Sequence, residues 1–265
     1  KYPSGTFETV DSFESTTNSC IIPITLGDKI EFYIRAFKDT VNTCASSSSN
    51  KVTINSRLRI EPKGTNLINV SSDHLNNKYI ELYINSLTEY EWLKYEIWRG
   101  SGSSIYSKIG EIANTGQKSF GFNYYDQINP SSNKYSYMVK AINLCSLASD
   151  QTNESSNILL TASQNEKGAQ NTLIWNKYTF WDSGVEKYQV YRGTNLLADT
   201  VYYEYIGSVA GSDTGFVDPS PLVNIGTSGV CYYVEAIQNS GSSWGTKEVS
   251  RSNHFCILSN PTIFI

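Results

Sequence analysis

The chain has 265 residues, of which 17% are charged, and its net charge is −4. This weakly acidic balance without a basic run excludes the phosphate-tracking surface of a nucleic-acid-binding protein, and it also disfavours binding to anionic membranes. No apolar stretch approaches the roughly 20 residues that a membrane helix needs, so we expect no direct insertion into a membrane. Tyrosine occurs 19 times against a single methionine, which is typical of β-rich surface proteins.

Three short motifs recur along the chain with a period near one hundred residues, which predicts a tandem array of domains. We expect a partial repeat at 1–55 that holds only the late half of a repeat, domains at 56–160 and 161–260, and a linker at 261–265. The chain is therefore expected to be a piece of a longer protein. The motifs are Ser49-Asn50, Ser156-Asn157 and Ser252-Asn253; Ile34-Arg35-Ala36, Val139-Lys140-Ala141 and Val234-Glu235-Ala236; and Tyr95 to Gly100 against Tyr188 to Gly193.

The second copy contains a series of short segments in which apolar and polar residues alternate, with turn-forming clusters between them. No window has a helical period. About seven short strands in one hundred residues predict an all-β chain of tandem immunoglobulin-like sandwiches. The strand segments lie at 80–84, 94–98, 106–112, 119–125, 135–142 and 157–160, and the turns include Gly100-Ser101-Gly102-Ser103 and Asn129 to Asn133.

The third copy has the same layout with clearer markers. An early strand ends in Trp175, Tyr188-Gln189-Val190-Tyr191-Arg192 follows, and Tyr232 with Val234 and Ala236 marks a late strand. This pattern resembles the fibronectin type III fold. The resemblance implies that Trp175 fills the space between two sheets and that Tyr232 has a structural role in the core rather than a chemical one.

Two segments also resemble gliding-motility-associated surface proteins of Bacteroidota, of the SprB-like adhesin class. They are the run from Trp175 to Arg192 and the segment from Cys256 to Ile265. In that class the second segment leads into a type B sorting domain, which is absent from this sequence. The resemblance implies export by the outer-membrane type IX secretion machinery and a PorP/SprF-type anchor, both reached through the absent domain, and hence a location on the cell surface attached to the outer membrane.

The five cysteines form no C-x-x-C pair, and with only two histidines in the chain they argue against a zinc site. Cys231 and Cys256 flank neighbouring predicted strands, and Cys20 and Cys44 bracket the corresponding strand of the first copy. We therefore predict disulfides at these pairs, which place the chain outside the cytoplasm. Cys145 is either a buried thiol or pairs with a residue outside the chain. The alternative is that all five are small buried apolar side chains.

No catalytic or cofactor-binding constellation is apparent. Asp126 and Asp218 occupy equivalent places in the two full copies, which favours a structural role as strand-end residues that cap a turn. No helix follows the Gly100 turn, so it cannot form a phosphate cradle. His254 has no serine or aspartate at a suitable spacing, and the acidic residues are too dispersed for a calcium loop. We expect no enzyme activity, no metal and no cofactor.

Two kinds of ligand or modification site deserve notice. Trp181, with Tyr178 and Phe180, is the best candidate for an aromatic platform that binds surface glycans, with Trp92 and Trp244 as further candidates; the alternative is that these rings pack across strands. Thr40 and Thr200 lie in Asp-Thr-Val triplets that resemble the O-glycosylation signal of Bacteroidota. Asn69 and Asn153 would accept N-glycans only in a eukaryotic secretory pathway.

These observations predict a non-catalytic extracellular stalk or spacer segment of a large cell-surface adhesin, linked to gliding motility or surface adhesion. Two alternatives stay open, namely an array of carbohydrate-binding modules and the accessory region of a secreted hydrolase.

Overall fold

A computed structural model describes residues 29–38, 45–55, 66–85, 92–102, 105–113, 121–143, 146–149, 154–165, 170–194, 201–219, 229–241 and 248–258, together with residues 7, 9, 12, 16 and 19. All regular structure in these ranges is β-strand, so the predicted all-β fold class is confirmed. They contain no helix that is long and apolar enough to cross a membrane.

The N-terminal part of the described chain forms two antiparallel strand pairs. Strand β1 (Lys29–Phe32) pairs with β4 (Val52–Asn55), and β2 (Arg35–Lys38) pairs with β3 (Ala45–Ser48).

The next seven strands form what we call the middle sandwich. One sheet has the order β5-β6-β9, and the other has the order β11-β10-β7-β8. This arrangement of three and four strands is that of a fibronectin type III sandwich. The strands are β5 (Asn66–Ser72), β6 (Ile80–Asn85), β7 (Trp92–Ser101), β8 (Tyr106–Ala113), β9 (Phe122–Asp126), β10 (Tyr135–Asn143) and β11 (Ser155–Ser156).

The C-terminal sandwich repeats this strand order. Its smaller sheet is β12-β13-β16, and its larger sheet is β15-β14-β17-β18, with β19 also paired to β17. The chain is therefore a tandem of fibronectin type III-like β-sandwiches. The strands are β12 (Leu160–Gln164), β13 (Asn171–Trp175), β14 (Val185–Thr194), β15 (Tyr202–Ala210), β16 (Gly215–Asp218), β17 (Gly229–Gln238), β18 (Val249–Arg251) and β19 (Phe255–Leu258).

The core follows from the period-two pattern, because alternate side chains of each strand point between the two sheets. Trp175 is 3% exposed, as its predicted position between the sheets requires. Each fully buried ring or branched chain is worth about 1.5–3 kcal/mol of transfer free energy, which drives the two sheets together. Equivalent strands supply Leu82, Tyr95, Ile97, Tyr137 and Val139 in the middle sandwich and Leu173, Tyr188, Val190, Tyr232 and Val234 in the C-terminal one.

Glycine at the end of the repeated Tyr-x-x-x-Arg-Gly run makes room for a tyrosine ring on the neighbouring strand. Gly100 pairs with Tyr106, and Gly193 pairs with Tyr203. A Cβ atom at Gly193 would lie 2.8 Å from Tyr203 Cε1, and one at Gly100 would lie 3.3 Å from Tyr106 Cε1. The close approach of a ring to the backbone thus explains this glycine in both sandwiches.

The strand predicted at 157–160 is wrong in detail. Strand β11 ends at Ser156 and β12 begins at Leu160. The ladder between β10 and β11 ends at Ser156 because the next N–H of β10, that of Tyr135, bonds to a side chain and donates to Asn157 Oδ1 at 2.7 Å. Asn157 Nδ2 in turn donates to the Pro130 carbonyl at 3.1 Å. The chain then passes from one sandwich into the next.

Candidate functional site: the junction between the two sandwiches

The outer edge of β5 is the middle sandwich's contact with the C-terminal sandwich. Strand β5 lies at the edge of its sheet and pairs with β6 on one side only. An uncovered edge exposes unpaired N–H and C=O groups, which folded proteins normally cover or charge. Here three groups of the outer edge, the Ile68 carbonyl and the N–H and carbonyl of Val70, bond to side chains of the C-terminal sandwich, so the junction covers part of the free edge.

Two aromatic residues from the loop after β13 anchor the junction. The Trp181 indole Nε1 donates to the Ile68 carbonyl at 3.1 Å, and the Tyr178 hydroxyl accepts from the Val70 N–H at 3.1 Å. The same hydroxyl donates to Asn69 Oδ1 at 3.2 Å. Burial raises the pKa of Tyr178 to about 12, which keeps it a neutral donor at physiological pH. Trp and Tyr with satisfied polar tips are the residues that usually dominate an interface.

This geometry corrects the proposed ligand platform of Trp181, Tyr178 and Phe180. The three side chains are only 4%, 2% and 9% exposed. The Tyr178 and Trp181 rings pack on each other with centroids 4.5 Å apart. A sugar needs an exposed ring face on which to stack, and these rings have none. Three bulky aromatic residues within four positions of a loop indicate a buried contact. Strand periodicity could not identify the partner of that contact, because the residues lie outside the strands.

Strand β18 forms the second line of contacts along β5. Asn69 Nδ2 donates to the Val249 carbonyl at 2.7 Å, and Ser250 Oγ donates to the Val70 carbonyl at 2.6 Å. The backbone N–H of Arg251 donates to Ser71 Oγ at 3.0 Å. Because Asn69 is buried and bonded in this way, it is a poor acceptor for an N-glycan.

The turn after β5 extends the junction to His254. Asn77 Nδ2 donates to the His254 carbonyl and the His254 N–H donates to Asn77 Oδ1, each at 3.0 Å. The Asp73 carboxylate stabilises the turn by accepting from three backbone N–H groups, those of Leu75, Asn76 and Lys78.

Both histidines of the junction lie beside this turn. His254 Nδ1 lies 3.1 Å from the His74 carbonyl, and the His74 ring packs on Tyr233. Burial lowers the pKa of both histidines.

The connection between the sandwiches is itself buried. Asn157, Ile158 and Leu160 are fully shielded from solvent. Asn253 bonds the backbone of Leu160 twice, since the Leu160 N–H donates to Asn253 Oδ1 at 2.7 Å and Asn253 Nδ2 donates to the Leu160 carbonyl at 3.1 Å. The connection is therefore part of the packed structure rather than a free tether.

The three Ser-Asn dipeptides do not all have the same role. The N–H of Ile34 donates to Ser49 Oγ at 2.9 Å, and the N–H of Val234 donates to Ser252 Oγ at 2.9 Å. Each of these serines also donates from its backbone N–H to the carbonyl of the same residue, Ile34 or Val234. Ser156 instead pairs with Ser136 as an ordinary strand residue. In the second copy the same pair of bonds is made by Ser149 instead, because its Oγ accepts from the Ala141 N–H at 3.0 Å and its own N–H donates to the Ala141 carbonyl at 2.8 Å.

Asp126 and Asp218 have a structural role, and each carboxylate bonds an arginine and a tyrosine of the opposite sheet. Asp126 accepts from Arg99 NH1 at 2.7 Å and from the Tyr137 hydroxyl at 2.8 Å. Asp218 accepts from Arg192 NH1 at 3.1 Å and from the Tyr232 hydroxyl at 2.8 Å. Each carboxylate therefore joins the two sheets of its sandwich. Sequence reasoning missed the arginines, although each lies at the same place in the repeated run.

The disulfide predicted between Cys231 and Cys256 is present. These residues lie directly opposite each other on β17 and β19, and the bond joins the two strands. The positions of Cys20, Cys44, Cys145, Thr40, Thr200, Trp244, Asn153 and residues 261–265 lie outside the described residues.

The outward face of the larger sheet of the C-terminal sandwich carries a cluster of four tyrosine rings. We call this cluster the tyrosine face, and it is formed by Tyr191, Tyr203, Tyr205 and Tyr233. The Tyr191 and Tyr233 rings are stacked with centroids 4.7 Å apart, and Tyr203 meets Tyr233 edge-on at 4.8 Å. Tyr205 is 54% exposed. Sequence analysis did not single out this face. The alternation of inward and outward side chains along β14 could have indicated it, because Tyr191 follows the core residue Val190 and so points to the opposite side of the sheet.

No arrangement in the described ranges points to catalysis or metal binding. They contain no group of three or more His, Cys, Asp or Glu side chains that could hold a metal ion. A shallow cleft of about 340 Å³ lies beside the loop after β13, and its lining includes Lys177, Thr179 and Ser212. Of the Thr179 and Ser212 hydroxyls, that of Ser212 donates to Asp213 Oδ1 at 3.2 Å in an exposed pair between neighbouring residues.

Comparison with known proteins adds little to this description. No family model matches the chain, and no curated protein sequence matches it. Among solved structures, the chain is similar to the FN1-FN3 domains of chicken CNTN1, with 13% identity and a TM-score of 0.31 over 83% of this chain and 73% of the other. At that level of superposition the likeness carries no functional meaning, and the fold assignment rests on the strand order described above.

Proposed function

We propose that this chain is a non-catalytic spacer segment of a large extracellular protein. The observation that carries the proposal is the buried junction, in which Tyr178 and Trp181 of one sandwich bond the backbone of β5 in the other. A spacer has to hold its distal part at a defined position, and two sandwiches that share a buried, hydrogen-bonded junction bend less than two sandwiches on a free linker.

The Cys231–Cys256 disulfide supports an extracellular location, because disulfides persist in oxidising compartments. We further propose that the parent protein is a surface adhesin exported by the type IX secretion system and linked to gliding motility or surface adhesion. This finer proposal is supported by the resemblance of residues 175–192 and 256–265 to proteins of that class. Its implied partners are the export machinery and an outer-membrane anchor.

The spacer role is tested by replacement in the parent protein on native cells. One strain lacks residues 66–258, and a second carries in their place an unrelated pair of rigid sandwiches of the same length. We expect adhesion to fall on deletion and to return with the replacement, because only reach is required. If the replacement fails like the deletion while surface protein levels are equal, the segment has a specific binding role and the spacer proposal is wrong.

The export proposal has a separate test. Protease added to intact cells should cleave the parent protein, and blocking type IX export should protect it inside the cell envelope. Peptide mapping without reduction should then recover the Cys231–Cys256 bond and show whether Thr40 and Thr200 carry hexose. A parent that stays at the surface when this export route is blocked would contradict the finer proposal and leave the spacer role intact.

Glycan binding is retained as a second candidate because of the tyrosine face. Exposed aromatic rings can stack on sugars, and Tyr205 is the most exposed ring of that face. This candidate predicts saturable binding of the chain to a glycan array, lost in Tyr205→Ala and kept in Tyr106→Ala, which alters the corresponding face of the middle sandwich. An absence of saturable binding to surface glycans of the native cell would exclude it.

A further inference from the structure

Strands β5 and β18 run parallel and in register across the junction. Four successive contacts join a residue of the middle sandwich to the residue 180 positions later, at 69, 70, 71 and 74. A constant offset in sequence number is possible only when both segments run in the same direction. The contacts are hydrogen bonds that involve side chains, so β5 and β18 are bound without forming a regular ladder.

This orientation determines how tension would act on the junction. Tension from the N-terminal side enters the two-sandwich unit at the start of β5, and tension from the C-terminal side enters after β19. Because the two strands are parallel, these pulls act in opposite directions along them. The contacts between 69–74 and 249–254 are then loaded together in shear, rather than one after another as they would be in peeling.

The far end of this path is fixed by the disulfide. Strand β19 follows β18 after a short interval, and the Cys256 side chain is bonded to Cys231 on β17. A pull at the end of β19 therefore cannot strip that strand from its sheet, and it is passed to the C-terminal sandwich as a body. Besides the covalent connection at 157–160, the route from that body to β5 and the turn after it is the set of junction contacts made by β18, His254, Tyr178 and Trp181.

We propose that the junction is a mechanical clamp, which bears tension along the chain and opens before either sandwich unfolds. Opening would separate the sandwiches about the connection at 157–160 and would lengthen the chain in one small step. This inference concerns the path of tension through residues 66–258 and holds or fails independently of the spacer role, because a spacer could be rigid without such a clamp.

The test is to hold the full chain at constant force between handles attached to its two ends. Unfolding of the middle sandwich, about 90 residues, releases about 300 Å of chain at about 3.4 Å per residue. The C-terminal sandwich releases less, because its disulfide keeps the segment between Cys231 and Cys256, which are 25 positions apart, out of the extended chain. Opening of the clamp releases far less, because both sandwiches stay folded. We expect the native chain to show a short extension step before the long ones. Forced opening is a rate process, so the lifetime before each step is the quantity to compare.

Tyr178→Phe removes the hydroxyl that bonds Asn69 and Val70 but keeps the ring. It should shorten the lifetime before the short step about tenfold and leave the length of the long steps unchanged. Ser250→Ala is the second variant, since it removes the bond to the Val70 carbonyl. The matched control is Tyr137→Phe, whose hydroxyl bonds only within the middle sandwich to Asp126. It should affect a long step and not the short one.

Amide hydrogen exchange gives a second measurement that needs no force. The Val70 N–H is bonded across the junction to Tyr178, so its exchange should accelerate in Tyr178→Phe and stay slow in Tyr137→Phe. The proposal is overturned if the native chain shows no short step, or if neither junction variant changes its lifetime. A variant that fails to fold would lose the long steps too, and the other junction variant then decides.

Discussion

The two sandwiches have equivalent core positions, but the outer faces of their larger sheets differ in chemical character. The outward side of the larger sheet of the middle sandwich carries a cluster of charged side chains: Lys94 and Lys108 bond Glu111 at 2.7 and 2.9 Å, and Lys108 also bonds Glu96 at 2.8 Å. In the C-terminal sandwich the corresponding surface is the tyrosine face. Since both sandwiches fold with the same strand order, the outer pattern has little influence on the fold and is free to differ.

Between the sheets, by contrast, both sandwiches contain the same polar cluster of an arginine, an aspartate and a tyrosine. In each sandwich an arginine of the larger sheet bonds a carboxylate of the smaller sheet, and a tyrosine hydroxyl bonds that carboxylate as well. The C-terminal copy adds two contacts that the middle copy lacks. Arg192 also bonds Glu204 at 2.6 Å, and Asn171 Nδ2 donates to the Tyr232 hydroxyl at 2.8 Å.

The largest expected effect comes from removing the carboxylate of this polar cluster. Asp126→Ala should lower the free energy of unfolding of the middle sandwich by about 3–5 kcal/mol, because it leaves Arg99 without its carboxylate partner between the sheets. Asp218→Ala should be milder by about 1 kcal/mol, because Arg192 keeps Glu204. Hydrogen exchange of core amides measures each sandwich separately. Equal losses in the two sandwiches would show that the Glu204 contact gives no support.

Removal of the disulfide should affect one sandwich only. Cys231→Ala with Cys256→Ala frees a loop of 25 residues, and the chain-entropy estimate for such a loop is a loss of about 3.5 kcal/mol. Core amides of β14 and β17 should exchange faster, while those of β7 and β10 should keep their rates. The same acceleration in the middle sandwich would mean that the two sandwiches unfold as a single unit.

The middle sandwich has serines where the C-terminal sandwich has its disulfide, so the bond can be transplanted. Ser136 and Ser156 lie directly opposite each other on β10 and β11, as Cys231 and Cys256 do on β17 and β19. Ser136→Cys with Ser156→Cys should form a bond under oxidising conditions and raise the stability of the middle sandwich by about 2 kcal/mol. Peptide mapping without reduction verifies the pairing. No gain relative to the reduced variant would show that the two strand pairs differ in geometry.

Much of the fold could be predicted from the sequence, because it depends on alternation within single strands and on the repeat of a module. Alternation around Tyr95 and Tyr188 located the central strands, and the positions of Cys231 and Cys256 after neighbouring strands located the disulfide. The equivalence of Asp126 and Asp218 indicated their structural role. These inferences need only the period of a strand and the repeat of a module.

The junction could not be predicted in the same way, because its partners are more than one hundred residues apart and belong to different sandwiches. Trp181 lies outside the strands, and only the free edge of β5 explains why its ring is buried. The repeat spacing also gave one wrong equivalence, because it matched Ser156-Asn157 with Ser252-Asn253. The first pair ends a strand, whereas Asn253 of the second pair bonds the backbone of Leu160. Local periodicity identifies elements but not how two modules dock.

The smallest expected effect is a dependence of the junction on pH, since both histidines of the chain lie there and neither lies inside a sandwich core. Burial lowers the pKa of His74 and His254 below the ordinary value of 6.5, and Arg251 lowers that of His74 further, while Glu235 and Asp73 oppose the shift. The unfolded chain therefore takes up protons at a higher pH than the folded chain, so stability is lost as the pH falls below about 6.5.

We expect the Val70 amide, which is bonded across the junction to Tyr178, to exchange faster at pH 5 than at pH 7, after correction for the intrinsic exchange rate. Core amides of Ile97 and Val190 should change less, because the contacts of the two histidines are made to Tyr233 of β17, to Asn77 and to each other. His74→Gln with His254→Gln should remove most of the difference between the two pH values. If the double variant keeps the full pH dependence, groups other than the two imidazoles cause it, and the imidazoles act only through packing.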